Sequence, residues 1–194
     1  NSTFKIIKII NLLTSNGIEG YKKSYDFWEL FNGYSQDVSE EKKKILKSLY
    51  ESSKVALIYG AAGTGKTTMI TALSEYLSDK NKILLANTNT ALENLKRRVK
   101  VKDSIFYTIA EYNKNNYINK TCDILIVDEC STVSNMDILK ILNNTQFELL
   151  LLVGDIHQIE SIKFGNWFSL AKEFVNKNSI YELSETFRSN NETL

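Results

Sequence analysis

Proline is missing altogether from the 194 residues, and there are only two cysteines and one histidine. Without proline, helix starts and turns have to be read from Ser, Thr, Asn, Asp and Gly. The chain is instead rich in Asn, Lys and Ile, a composition that looks like coding bias in an AT-rich genome. A net excess of charge is missing too, since 24 Lys and Arg face 23 Asp and Glu for a formal +1. No global field argues for a polyanionic partner, so local charge must carry any such case. The longest apolar run, Leu149 to Val153, falls far short of the ~20 residues that span a bilayer. No charged, apolar and small-residue signal opens the chain. These absences predict a soluble, cytoplasmic protein with no membrane partner. Cys122 and Cys130 bracket an apolar run that reads as a strand; at about 3.3 Å per residue they would stand roughly 25 Å apart, beyond disulfide reach. Two thiols alone make no zinc site, and both read as reduced structural residues. The first residue is Asn1 rather than Met, which suggests a piece of something longer.

What is present alternates between two periods. Short apolar runs start at Val55, Ile83, Ser104, Ile124, Phe147 and Ser179. Helical spacing lies between them, over Lys66 to Leu77, Ala91 to Val99, Thr108 to Asn115, Met136 to Leu142 and Trp167 to Val175. This predicts an α/β fold with a mainly parallel sheet and helices on both faces. Ser39 caps a further helix, with Glu40 and Glu41 in its first turn and Ile45, Leu46, Leu49 and Tyr50 on its buried side. Residues 1–37 read as a small helical extension and 38–194 as the main domain. In the extension, Phe4 to Leu13 has amphipathic spacing, and Ser24 caps a second helix carrying Tyr25, Phe27, Trp28, Leu30 and Phe31. That aromatic cluster reads first as helix packing, with base stacking as the alternative.

The first chemical signal is Gly60-Ala61-Ala62-Gly63-Thr64-Gly65-Lys66-Thr67-Thr68, directly after the Val55 strand and before a helix. Several backbone N–H groups can converge on a phosphate chain only through a tight, glycine-rich turn. Lys66 then supplies a point charge to the β- and γ-phosphates, Thr67 offers a hydroxyl to Mg²⁺, and the helix N-terminus adds its dipole. The expected ligand is ATP with Mg²⁺.

Three more strands end in polar clusters: Asp128-Glu129, Gly154-Asp155 with Gln158, and Thr186 to Arg188. In a parallel sheet, ligands bind at the carboxyl ends of the strands. Asp128 is placed to hold the metal directly or through water, Glu129 to orient or deprotonate the attacking water, and Gln158 to sense the γ-phosphate. Arg188 can spread its charge over the transferring group. Between Glu93 and Lys120, seven Lys and Arg face three acids, a local +4 beside the Thr88-Asn89-Thr90 turn. A solvated helix face explains that excess, and contact with a phosphodiester backbone is the alternative.

Taken together, these motifs resemble the first RecA-like motor domain of superfamily 1 helicases. Gly60 to Thr67 looks like motif I, Thr88 to Ala91 motif Ia, Asp128 to Ser131 motif II, Gly154 to Gln158 motif III and Thr186 to Ser189 motif IV. Lys163 stands where members moving 3′ to 5′ usually carry a stacking tryptophan, and Ile159 to Ile162 with Gly165 and Phe168 resembles the RecD-like branch, which generally moves 5′ to 3′. The resemblance implies a P-loop NTPase that couples hydrolysis to movement on single-stranded DNA or RNA. It places nucleic-acid contacts at Thr88, Asn89, Thr90 and, through motif Ib, Thr108. It implies a second RecA-like domain C-terminal to this chain and requires no oligomer.

The sequence also departs from the family. Lys42 stands where a glutamine usually reads the adenine edge, with Gln36 out of register, and Ala110 replaces the usual histidine of motif Ib. His157 falls at a variable place in motif III. The competing expectation is a nucleotide switch in a signalling or defence protein that unwinds nothing, which the near-neutral charge favours.

Overall fold

The computed structural model describes residues 1–32, 38–155 and 166–185. Six strands, β1 (Val55–Gly60), β2 (Lys82–Ala86), β3 (Ser104–Thr108), β4 (Ile124–Val127), β5 (Leu149–Asp155) and β6 (Ile180–Leu183), form one sheet in the order β3-β2-β4-β5-β1-β6. Every pairing is parallel. The strands read as unbroken apolar runs because both faces are covered, and their side chains divide by the two-residue period. Ala56, Ile58, Leu84, Ile126, Leu151 and Val153 face one core. Val55, Leu57, Leu85, Leu125, Leu150 and Leu152 face the other.

The first core is roofed by α2 (Tyr21–Asn32), α3 (Glu40–Ser48), α4 (Lys66–Tyr76) and α5 (Asn89–Arg98), the second by α1 (Ser2–Leu12), α6 (Ile109–Lys114), α7 (Asn135–Asn144) and α8 (Trp167–Phe174). Ser39 caps α3 as the sequence predicts, and Thr108 and Ser134 cap α6 and α7, each by accepting the N–H three residues on. Two starts differ. Helix α2 begins at Tyr21, so Ser24 is not its cap but donates its N–H to Gly20 within the first turn. Thr88 accepts the Ala91 N–H, which pulls Asn89 and Thr90 out of a free turn and into the first turn of α5.

The N-terminal helices are built into the domain. Ile6 and Ile10 of α1 are buried in the second core, and Tyr21, Tyr25 and Trp28 of α2 in the first. The Tyr21 hydroxyl donates to the Leu46 carbonyl and meets the Tyr76 hydroxyl. The aromatic cluster of α2 is thus divided, with Phe27, Leu30 and Phe31 exposed on the opposite side.

Candidate nucleotide and nucleic-acid site

Parallel register brings the strand ends to one edge. Gly60 pairs with Asp155 and Leu183 flanks Gly60 on the other side. Val127 pairs with Leu152 and Leu85, so Asp128 follows immediately beyond, its N–H donating to the Leu85 carbonyl at 2.8 Å. Across the edge the order is therefore Thr108, Asn87, Asp128, Asp155, Gly60 and Ser184.

Between β1 and α4 the chain turns through Gly63 at φ 79° and Gly65 at φ 87°, a left-handed conformation in which a side chain is strained. Gly65 occupies the helix cap position without a side-chain cap, leaving the first-turn amides of α4 to an outside acceptor. Thr64 is buried, and its hydroxyl donates to the Ala61 carbonyl at 2.7 Å, bracing the loop from inside. Ala62 and Gly63 are exposed; Lys66, Thr67 and Thr68 are half-buried. The Lys66 ammonium donates to the carbonyls of Gly60 (3.0 Å) and Ala61 (2.9 Å) and lies 4.0 Å from Asp155 Oδ2. Thr68 accepts a hydrogen bond from Arg98 at 3.0 Å.

Asp128 Oδ1 accepts the Glu129 N–H at 2.8 Å. Burial pushes its carboxyl up to about 6; the Glu129 N–H and the Lys66 charge act against that rise, and the Glu129 charge adds to it. A desolvated carboxylate is an environment that a bound divalent cation would relieve. Among the described residues no group of three or more His, Cys, Asp and Glu side chains gathers to hold a metal.

Glu129 points elsewhere. Its Oε2 accepts the N–H groups of Asn87 (3.1 Å) and Thr88 (3.0 Å) and the Thr88 hydroxyl (3.2 Å). Asn87 also donates through Nδ2 to the carbonyl and hydroxyl oxygens of Thr132, both at 3.1 Å. No sequence motif assigns Asn87 this role; its place immediately after a buried strand is the signal that points to it. Glu41, in the first turn of α3, does more than complement the helix dipole. Its carboxylate accepts the N–H groups of Ser184 (2.7 Å) and Glu185 (3.1 Å), anchoring the chain beyond β6.

Thr88, Asn89 and Thr90 are exposed at the start of α5, and Thr108 is half-buried as the cap of α6. The structure thus gathers the P-loop, Asp128, Glu129 and the Thr88 turn. Gln158, Arg188 and His157 lie outside the described residues, as do Gln36, Lys163 and Thr186.

A protein-family model described as an AAA domain matches residues 37–194. No curated protein matches the sequence. Among solved structures, a Bacteroides Pif1 bound to ssDNA superposes with a TM-score of 0.52 at 21% identity, covering 77% of this chain and 42% of that one. A Pif1 structure at forked dsDNA gives 0.54 at 21%, covering 79% and 45%. A Bacteroides Pif1 helicase in complex with ADP-AlF3 and ssDNA gives 0.52 at 22%, covering 80% and 44%. The chain spans less than half the length of these structures, and its fold is theirs over that part.

Proposed function

The chain belongs to the AAA-domain family, and from that premise we propose that it is the ATP-binding and hydrolysing first motor domain of a superfamily 1, RecD-like helicase or translocase. Residues 38–194 form the motor and 1–37 its helical extension. The observation that carries the reading is the shared sheet edge: a glycine-rich phosphate cradle stands two strands from Asp128-Glu129, and Glu129 reaches the exposed Thr88 turn.

Phosphates would lie over Gly60 to Thr68, with Lys66 leaving the Gly60 and Ala61 carbonyls to meet them. Thr67 and Asp128 suit a divalent cation whose other ligands are phosphate and water, since Asp128 is a desolvated carboxylate. Mg²⁺ there would neutralise phosphate charge. Glu129 orients or deprotonates the attacking water, and Gln158 and Arg188 act on the γ-phosphate. Thr88, Asn89, Thr90 and Thr108 contact the backbone of single-stranded DNA or RNA. A second RecA-like domain closes the cleft, so the isolated domain turns over slowly, by about 10³-fold or more for want of a partner arginine.

The test is ATP hydrolysis by the full-length protein with and without single-stranded nucleic acid. Stimulation by the strand, abolished by Lys66→Ala, is expected; turnover indifferent to any strand favours the nucleotide-switch reading, to which the +1 net charge is congenial. Unwinding that requires a 5′ overhang supports 5′ to 3′ movement, and unwinding of substrates with only a 3′ overhang overturns it.

A further inference from the structure

Exposed apolar side chains on a folded domain are ordinary when scattered and informative when they gather. On the helices that roof the second core they gather. Phe4 and Leu12 of α1, Met136 of α7 and Phe174 of α8 are each between 66% and 81% exposed. The three helices are neighbours. Asn135 Nδ2 donates to the Ser2 and Thr3 hydroxyls at 3.3 and 2.8 Å, which sets Met136 beside the start of α1. Asn11 Nδ2 donates to the Phe174 carbonyl at 3.1 Å, which sets Phe174 beside its end.

Charge on this surface is mainly positive. Lys5 and Lys8 of α1 and Lys140 of α7 are exposed, α1 has no acid, and Glu173 is the only exposed acid of the three helices. Asp137 of α7 is engaged locally, its carboxylate accepting from the Ser134 hydroxyl at 2.9 Å and from Asn113 Nδ2 at 3.2 Å. The lysines also stand among the apolar groups and not around them. Phe4, Lys8 and Leu12 follow at four-residue steps, about 6 Å apart along one stripe of α1, and Met136 and Lys140 repeat the step on α7.

That interleaving selects the partner. A second copy would oppose lysine to lysine, and a phosphate backbone would leave four apolar side chains in water. A bilayer takes apolar side chains below a basic rim, whereas here Lys8 would be carried down between Phe4 and Leu12. A helix with acidic and apolar side chains at the same four-residue step meets both kinds of group at once.

We infer that the outer surface of α1, α7 and α8 docks an acidic amphipathic helix of a partner protein, the three lysines pairing with its carboxylates and the four apolar side chains packing on its apolar stripe. None of these side chains is assigned to the nucleotide or the strand, and α1 lies before the residues 37–194 matched by the AAA-domain model.

The experiment titrates the full-length protein against a fluorescein-labelled synthetic amphipathic helix of Glu and Leu, and against the same peptide with Lys in place of Glu, by anisotropy at low and high salt. Saturable binding of the acidic peptide is expected, weakened about tenfold by Phe4→Ser/Leu12→Ser at either salt and about tenfold by Lys5→Glu/Lys8→Glu at low salt. The charge-reversed variant should at the same time gain the lysine peptide, and ATP hydrolysis should be unchanged in both variants. All four substituted side chains are exposed, and Lys8→Glu alone gives the same readout should a double variant fail to fold. No saturable binding, or binding that both variants leave unchanged, would overturn the inference. So would retention of the protein on phosphatidylglycerol vesicles without binding of the peptide, which makes anionic lipid the occupant, or self-association abolished by Phe4→Ser/Leu12→Ser, which makes it a second copy.

Discussion

The Lys66 ammonium lies 4.0 Å from the Asp155 carboxylate while it donates to the carbonyls of Gly60 and Ala61. The lysine is thus held inside its own loop, and a nucleotide must draw it outward. Ligand at about 100 times its Kd stabilises a folded protein by about 2.7 kcal/mol. For a domain of this size each kcal/mol moves Tm by about 2–4 °C. Mg-ATP analogue should therefore raise the wild-type melting temperature by about 5–10 °C and leave Lys66→Ala unmoved. A Lys66→Ala protein with the same shift, or with normal hydrolysis, would remove Lys66 from the site.

Gly154 matters for a different reason. A Cβ added there would meet the Phe168 ring at 2.5 and 2.7 Å, so α8 packs on β5 only because the strand has no side chain at that point. Gly154→Ala should destabilise the fold by about 1–3 kcal/mol through overpacking. Phe168→Leu, mild alone, should recover much of that loss in the double variant. Urea unfolding of the four proteins measures the coupling, and additive effects would count against the contact.

Several of these features were legible beforehand and others were not, for physical reasons. The alternation of six strands with helices and the likeness to a helicase motor fold follow from local period and motif spacing and are borne out, although β2, β5 and β6 start at Lys82, Leu149 and Ile180 rather than at Ile83, Phe147 and Ser179. Phe174 or Val175 could each have faced inward from α8; the structure buries Val175 and exposes Phe174. Polar turns were harder. Thr88 can terminate a loop or cap a helix with the same residue types, and only the Ala91 N–H decides. The direction in which Glu129 points depends on β2 and β4 being neighbours, a non-consecutive pairing that no local pattern encodes.

Cys122 and Cys130 are both free and buried. Burial pushes the Cys122 thiol from near 9 up to about 12 and raises Cys130 well above its ordinary value. The thiolate is the reactive form, so neither should be alkylated by iodoacetamide at pH 8.5 in the native protein, and both should be once it is denatured. Mass spectrometry counts the adducts. The sign for stability follows from the same shift: above pH 9 the unfolded chain loses thiol protons that the native state keeps, so stability falls as pH rises from about 9 toward 12.

Lys42 bears on which nucleotide is preferred. It is fully buried on α3, and burial lowers its pKa against the opposing charges of Glu41 and Glu185. At this place the resembling helicases usually carry a glutamine, whose amide can both accept from the adenine amino group and donate to a ring nitrogen. A lysine ammonium has three donors and no acceptor. It can donate to N7 of either purine and to O6 of guanine, but it cannot accept from the amino group that marks adenine. Hydrolysis should therefore show GTP and ATP kcat/KM values within about tenfold of each other. Lys42→Gln should shift the ratio toward ATP. A wild type that prefers ATP by about a hundredfold would show that the base is read elsewhere.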